Sequence, residues 1–114
     1  MTAYERGDIV LVPFPFSDQT TTKKRPAVAV SSSLFNRQSP DIVILAVTSK
    51  ISAPFGIGES LIGDWQVAGL LKPSAIKSAI STVEQTLILR KLGTLSQSDI
   101  VAMNTALTIM PALA

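Results

Sequence analysis

Two short apolar runs near the start of the chain constrain the fold most strongly. Residues 9–12 and 27–30 are rich in β-branched side chains and flank a polar segment. Nearly continuous apolar runs of this length are typical of strands that are buried on both faces. Later apolar runs are interrupted by proline and glycine, which keeps each of them short. The pattern predicts a small sheet of short strands.

Strand-like segments recur along the rest of the chain. Strands are predicted over residues 8–12, 27–31, 42–47 and 75–83, with a short edge strand within the Pro- and Gly-rich segment 51–64. Pro13 and Pro15 are expected to end the pairing of the first strand, because proline has no N–H to donate. If these strands form a small barrel, a single turn around Leu34 and Phe35 is expected to close one of its ends.

The C-terminal segment carries the clearest helix signals. Ser96 is a good N-cap with Asp99 three residues later, and Leu95 with Ile100 fits a hydrophobic staple. One apolar stripe follows at helical spacing, formed by Ile100, Met103, Leu107 and Met110. Short strands closed by one amphipathic helix predict a mostly β domain of barrel type, and residues 1–114 are expected to form a single domain.

Composition excludes several classes of chemistry. The chain of 114 residues has no cysteine and no histidine, so disulfides, thiolate or imidazole metal sites and His-based acid–base catalysis are excluded. No apolar run approaches the ~18 residues of a membrane span. We therefore expect a cytoplasmic protein without membrane segment, metal or cofactor. A net charge of +2 permits a polyanionic partner without requiring one.

Three successive cations stand between the first two apolar runs. Lys23, Lys24 and Arg25 are followed at once by Pro26, which restricts the residue before it to extended conformations. Arg25 is therefore expected at the mouth of the second strand. A guanidinium held there beside two lysines is suited to bind phosphate, and the same cluster also fits a solvated surface patch.

Two phenylalanines precede these cations. Phe14 and Phe16 lie two residues apart, and therefore on one side of an extended segment. They either pack on the core or offer a stacking surface for a nucleobase.

Six segments in order resemble one known family. They are GDIV at 7–10, PFPFSD at 13–18, KRPAV at 24–28, ILAVTS at 44–49, GLLKPSAIK at 69–77 and GTLS at 93–96. The set is similar to the PemK/MazF family of toxin endoribonucleases, and the likeness extends over nearly the whole chain. It implies an SH3-like barrel with the last helix packed across it. It also implies a homodimer with an RNA groove along the shared face, and inhibition by a cognate antitoxin protein.

The resemblance implies metal-independent, sequence-selective cleavage of single-stranded RNA. RNA supplies its own nucleophile, the 2′-hydroxyl, so a cation and a hydroxyl near the phosphate are sufficient partners. Matched by position, Arg25 and Thr48 are the catalytic pair. Residues assigned to RNA binding are Lys23, Lys24, Ser49, Lys72, Ser74 and Lys77.

One departure leaves the general base open. Some family members carry an acidic residue and an extra arginine on the strand that matches residues 75–83, where this chain has Lys77 and Ser78. Three alternatives are open: Lys77 binds phosphate, Asp18 or Glu84 orients a reacting group, or the base is poorly defined and the enzyme is slow. The same barrel also fits a nucleic-acid-binding module that does not cut, or a module that binds peptides.

Overall fold

The computed structural model describes residues 4–15, 22–51 and 59–108. The chain forms six strands and two α-helices in these ranges, with a single 3₁₀ turn at Gln85–Leu87. The elements in order are β1 (Asp8–Pro15), β2 (Thr22–Ala29), α1 (Ser33–Gln38), β3 (Asp41–Thr48), β4 (Ser60–Ile62), β5 (Ser74–Glu84), β6 (Arg90–Thr94) and α2 (Gln97–Thr108).

The six strands form one antiparallel sheet in the order β4-β5-β3-β2-β1-β6. The sheet curls into a half-barrel, and α2 packs against it near β4. The prediction of a small, mostly β barrel with a C-terminal helix is therefore confirmed. The short edge strand predicted within residues 51–64 is β4, and the prediction of its edge position is correct.

The central strands are buried on both faces, as their continuous apolar runs predict. Ile9 and Val28 lie in a core cluster that also contains Met103 of α2. Their neighbours Val10 and Ala27 belong to a second cluster on the opposite face. All four strand side chains are 0% exposed, which explains why the sequence of these strands does not alternate between apolar and polar residues.

The pairing of β1 continues through its two prolines, so the prediction that they end it was wrong. The register with β2 runs on to the pair Pro15↔Thr22. Leu11 accepts a hydrogen bond from Leu89 N–H at 2.8 Å on the β6 side. Pro13 and Pro15 face that same side by alternation, where pairing with β6 has already ended. Their missing N–H groups therefore fall on a free edge and remove no bond to β2.

Helix α1 packs through a polar side chain. Leu34 and Phe35 are 57% and 41% exposed, so the prediction that they close the barrel end was wrong. Asn36 is the buried residue, and its side-chain amide donates to the carbonyl oxygens of Tyr4 at 2.9 Å and Ser31 at 3.2 Å. These bonds to the backbone decide which face of the short helix turns inward.

The predicted N-cap of α2 is confirmed, but the side chain of Asp99 forms hydrogen bonds outside the helix. Ser96 Oγ accepts a hydrogen bond from Asp99 N–H at 3.3 Å. The Asp99 carboxylate accepts from the backbone N–H groups of Gly63 at 3.0 Å and Asp64 at 2.8 Å. It thereby ties the start of the helix to the segment after β4. The described part of the predicted stripe packs on the core, namely Ile100, Met103 and Leu107; Met110 lies outside the described residues.

Neither described helix has the length and apolar character needed to span a bilayer.

Candidate functional site

One end of the sheet carries a cleft of about 650 Å³. Strands β1 and β3 finish near this end, and β2, β5 and β6 begin there. The remaining wall is the β4–β5 turn, residues 63–73, which runs from the edge strand back into the sheet. Apolar side chains such as Leu11, Val47 and Leu92 contribute to the lining. The antiparallel topology thus gathers residues from across the sequence at one opening.

The cleft is strongly cationic. Five of its lining residues are lysines or arginines, namely Lys23, Lys24, Arg25, Lys72 and Arg90. No carboxylate lines the cleft among the residues that the structure describes. A concave surface with charges of one sign concentrates a potential that attracts polyanions. We call this feature the cationic cleft.

Arg25 and Thr48 lie on the neighbouring strands β2 and β3, and both line the cationic cleft. Ala27 of β2 pairs with Ala46 of β3. This pairing ends two residues before Arg25 and Thr48, and both of these residues line the cleft. Arg25 lies within β2, paired with Val12, so the prediction that it stands at the mouth of the strand was wrong.

The hydroxyl of Thr48 is oriented by the chain that follows it. Thr48 Oγ1 accepts a hydrogen bond from Lys50 N–H at 3.1 Å. A hydroxyl that accepts one bond still carries a proton that it can donate. Thr48 can therefore donate to an oxygen atom brought beside Arg25.

Two predicted substrate-binding residues shape the β4–β5 turn itself. Ser74 lines the cleft but is only 3% exposed, and its Oγ donates to the Lys72 carbonyl oxygen at 2.9 Å. Lys72 is exposed beside it, so its ammonium group can reach solvent and a bound anion. Ser49 follows Thr48 at the rim of the cleft.

Lys77 is the predicted site residue that the cationic cleft does not contain. It lines a separate cavity of about 40 Å³, together with Lys50 and Glu59. Thr48 borders both cavities, whereas Lys77 lines only the smaller one. The other seven predicted site residues all line the cleft.

A family profile decides the relationship of this chain to known proteins. The profile of the PemK-like, MazF-like toxins of type II toxin–antitoxin systems matches residues 5–110. The chain belongs to this family. No curated protein sequence matches it significantly.

Solved structures share the fold. A mycobacterial endoribonuclease in complex with its cognate antitoxin aligns with a TM-score of 0.71 at 20% identity, over 95% of this chain and 92% of that chain. The Mycobacterium tuberculosis toxin MazF-mt6 aligns with a TM-score of 0.71 at 18% identity, over 87% and 90%. A chain of the MazE–MazF complex from Deinococcus radiodurans gives 0.75 at 14% identity, over 100% of both chains. At these identities the likeness establishes the fold alone.

Arg90 lines the cationic cleft but was not predicted from the sequence as a site residue. Residues 87–89 look like an isolated apolar piece, so no strand is predicted to follow them. Leu11 of β1 pairs with Pro26 of β2 on one side and with Arg90 of β6 on the other. Arg90 therefore lies level with Pro26, which directly follows the three cations of β2. The available signal was two adjacent cations before a Leu-Gly-Thr segment, and it does not reveal which strand edge they join.

Two glycines in the family-like segments are explained by a close backbone approach. Gly69 has φ +83°, and a β-carbon there would lie 2.0 Å from the carbonyl oxygen of Leu92. A β-carbon on Gly93 would lie 2.4 Å from the carbonyl oxygen of Ala68. The β4–β5 turn thus packs directly against β6, and any larger residue at either position would open this wall of the cleft.

The structure removes Glu84 as a candidate for orienting a reacting group at this site. Glu84 pairs with Asp41 at the start of β3, whereas Thr48 at its end pairs with Ala75. Seven residue steps along β3 separate these two pairs by roughly 23 Å. The interpretation of Glu84 as an orienting group was therefore wrong. Asp18 and Phe16 lie outside the described residues, as does the side chain of Phe14.

Proposed function

We propose that this toxin is an endoribonuclease that cleaves single-stranded RNA at selected sequences without a metal ion. The observation that carries the proposal is the cationic cleft, whose lining includes both Arg25 and Thr48. Structural neighbours support it, because two mycobacterial proteins of this fold are described as endoribonucleases. The proposal places the toxin in the cytoplasm, where messenger RNA is translated.

The proposed reaction uses the substrate's own hydroxyl as nucleophile. The 2′-oxygen attacks the adjacent phosphorus in line and loses its proton to a base. The bond from phosphorus to the 5′-oxygen breaks, and that oxygen takes up a proton as it leaves. The products are a 2′,3′-cyclic phosphate and a 5′-hydroxyl. Atoms and charge balance without a redox partner or a second substrate.

Arg25 is the proposed stabiliser of the transition state. Negative charge accumulates on the phosphoryl oxygens as the 2′-oxygen attacks, and a planar guanidinium can contact two of them at once. A donor held in place before the reaction contributes most, because it need not reorganise. Arg25 lies within β2 and pairs with Val12 of β1, which fixes its backbone before a substrate binds.

Thr48 is the proposed second donor. Its hydroxyl, oriented by the bond from Lys50 N–H, can donate to a phosphoryl oxygen or hold the attacking 2′-hydroxyl. The remaining cleft cations, Lys23, Lys24, Lys72 and Arg90, are proposed to bind phosphates on either side of the cleaved bond. Ser49 and Ser74 complete the proposed RNA-binding surface, with Ser74 acting through the turn that it orders. Lys77 is proposed to bind a phosphate beyond Thr48.

A matched pair of substrates tests the reaction. One RNA contains a single preferred cleavage site, and its control carries 2′-deoxyribose only at the nucleotide that supplies the nucleophile. We expect cleavage of the first with EDTA present, and binding without cleavage of the second. A nucleic-acid-binding module would bind both and cut neither, whereas a peptide-binding module would bind neither. Cleavage of the deoxy substrate at the modified step would contradict the mechanism.

The proposed protein partner is an antitoxin with an acidic segment. Relatives of this fold have been solved as toxin–antitoxin complexes, and a cleft that attracts RNA should also attract a flexible acidic chain. We expect such a segment to compete with RNA. Simultaneous binding of RNA and the antitoxin segment, with neither affinity reduced, would contradict this assignment.

We also propose that the toxin is a two-fold symmetric homodimer. Large apolar side chains stay exposed in the single chain, among them Leu87 at 49%, Leu89 at 50% and Leu61 at 48%. Leu87 and Leu89 lie two residues apart just before β6, and neighbouring exposed apolar side chains are typical of surfaces through which proteins associate. Sedimentation at tens of micromolar protein should give the mass of two chains, and a monomer at that concentration would contradict the proposal.

A further inference from the structure

Leu71 has an environment unlike that of the other large apolar residues. It is 94% exposed, the highest value among the large apolar side chains that the structure describes, and it lines the cationic cleft. Its neighbour Leu70 is only 8% exposed and belongs to the core. A single exposed leucine on an ordinary surface has no special meaning. At the wall of a cleft lined by five cations, it faces the space that a ligand would occupy.

The backbone holds Leu71 from both sides. Before it, Leu70 N–H donates to the Trp65 carbonyl oxygen at 3.0 Å, and Gly69 packs directly on the backbone of β6. After it, the buried Ser74 hydroxyl donates to the Lys72 carbonyl oxygen at 2.9 Å. The backbone on either side of the leucine is thus already ordered before a ligand arrives. A contact made by a preorganised residue loses less affinity to ordering than one made by a mobile loop.

The chemistry of the cleft determines which part of an RNA chain would meet this leucine. Lysines and arginines bind phosphates, whereas an apolar side chain among them is suited to the face of an unstacked base. None of the cleft-lining residues that the structure describes is aromatic. Leu71 offers an aliphatic side chain for contact with a base face at this wall, a role that leucine performs in other nucleic-acid-binding proteins.

We propose that Leu71 packs on a nucleobase next to the cleaved phosphodiester and determines which bases are accepted there. The inference rests on the proposed endoribonuclease function and adds a specificity-determining residue to it. Leu71 lies in the turn that supplies Lys72, so phosphate binding and base contact are fixed by one rigid segment. The leucine touches the base and takes no part in proton transfer. Its loss should therefore raise KM more than it lowers kcat.

The test compares Leu71→Ser with the matched control Val67→Ser. Val67 lies on the same turn, is 68% exposed and does not line the cleft. Both substitutions replace an exposed apolar side chain, so both variants should keep the thermal midpoint of the wild type. Each protein cleaves a pool of RNAs with randomised positions, and the cut ends are sequenced. We expect Leu71→Ser to lose base preference at one position beside the cut and to raise KM on the preferred RNA about tenfold.

Control variants distinguish an error in the inference about Leu71 from an error in the proposed function. Val67→Ser should match the wild type, and Leu71→Met should restore the preference because it keeps an apolar side chain. If the wild type cleaves RNA and Leu71→Ser has the same base preference and the same KM, the inference about Leu71 is overturned. The proposed function would stand in that case. A change confined to the dimer dissociation constant would also overturn the inference about Leu71.

A wild type that cleaves no RNA would instead refute the proposed function. The Kd of a single-stranded 2′-deoxy analogue, measured by fluorescence anisotropy, then decides the inference. Equal Kd values for wild type and Leu71→Ser overturn it. Weaker binding by Leu71→Ser, but not by Val67→Ser, supports a base contact without catalysis.

Discussion

Arg25 carries the largest share of the proposed chemistry, and its substitution has a defined expected cost. Removal of one preorganised donor to a transition-state oxyanion lowers rates by about 10²–10³-fold in other enzymes. Arg25→Ala should therefore lower the single-turnover cleavage rate by at least that factor. Arg25→Lys should also be poor, because an ammonium group cannot make the planar, two-pronged contact. Full activity of Arg25→Ala, shown by circular dichroism to be folded, would contradict the assignment.

Thr48 permits a substitution that removes the hydroxyl and keeps the β-branched shape. Thr48→Val loses the acceptor for Lys50 N–H, an exposed bond whose loss should cost no more than about 1 kcal/mol of unfolding free energy. The cleavage rate should fall while the thermal midpoint changes little. Thr82→Val on β5 is the matched control, since this exposed threonine lies away from the cleft. Equal rates for the two variants would show that the Thr48 hydroxyl is not used.

The β4–β5 turn makes a stability prediction that is independent of RNA. Gly69→Ala would place a β-carbon 2.0 Å from the Leu92 carbonyl oxygen at a φ of +83°. We expect a loss of at least about 2 kcal/mol in unfolding free energy, from backbone strain and overpacking together. Gly63→Ala in the same turn is the control, because its nearest neighbour would be Asp99 Oδ1 at 3.5 Å, an ordinary contact. Equal denaturation midpoints for the two variants would contradict the close packing of the turn on β6.

Strands β1, β2, β3 and β5 and helix α2 could be predicted from the sequence, because each carries its own apolar run or capping signal. Strand β6 could not, because its sequence RKLGT has little apolar content. It pairs because β1 offers a free edge, and that information lies some 80 positions away in the chain, as the pair Leu11↔Arg90 illustrates.

The candidate site shows the same division between local and long-range information. Arg25 and Thr48 were found through a family resemblance that local patterns do not contain. Arg90 and Leu71 were missed because their place in the cleft depends on how β6 and the β4–β5 turn pack together. The sequence shows two adjacent leucines at 70 and 71, but their apolar character does not reveal that the first is buried and the second exposed.

Charge is distributed unevenly over the molecule, although its net charge is only +2. Five of the ten lysines and arginines line the cationic cleft. The seven carboxylates that the structure describes all lie elsewhere. Two of them, Asp8 and Asp99, are buried, so the five carboxylates left on the surface balance the five cations outside the cleft. A polyanion should therefore be guided to the end of the barrel that carries the cleft. This asymmetry predicts a salt dependence larger than the net charge suggests.

The dependence of RNA affinity on salt measures how many cleft cations bind phosphate. Each phosphate neutralised on a single strand contributes about 0.7 to the slope of log Kd against log salt, so four to five contacts predict a slope near 3. Arg90→Gln should reduce that slope by about 0.7 if the arginine, which sequence reasoning missed, binds a phosphate. Arg37→Gln on α1 removes the same charge outside the cleft and should leave the slope unchanged. Titrations of the non-cleavable deoxy RNA between 50 and 300 mM salt (roughly the range in which such slopes are resolved) give the answer. A slope near zero in the wild type would mean that the cleft does not bind the RNA backbone, and equal slopes for the two variants would remove Arg90 from the RNA-binding surface.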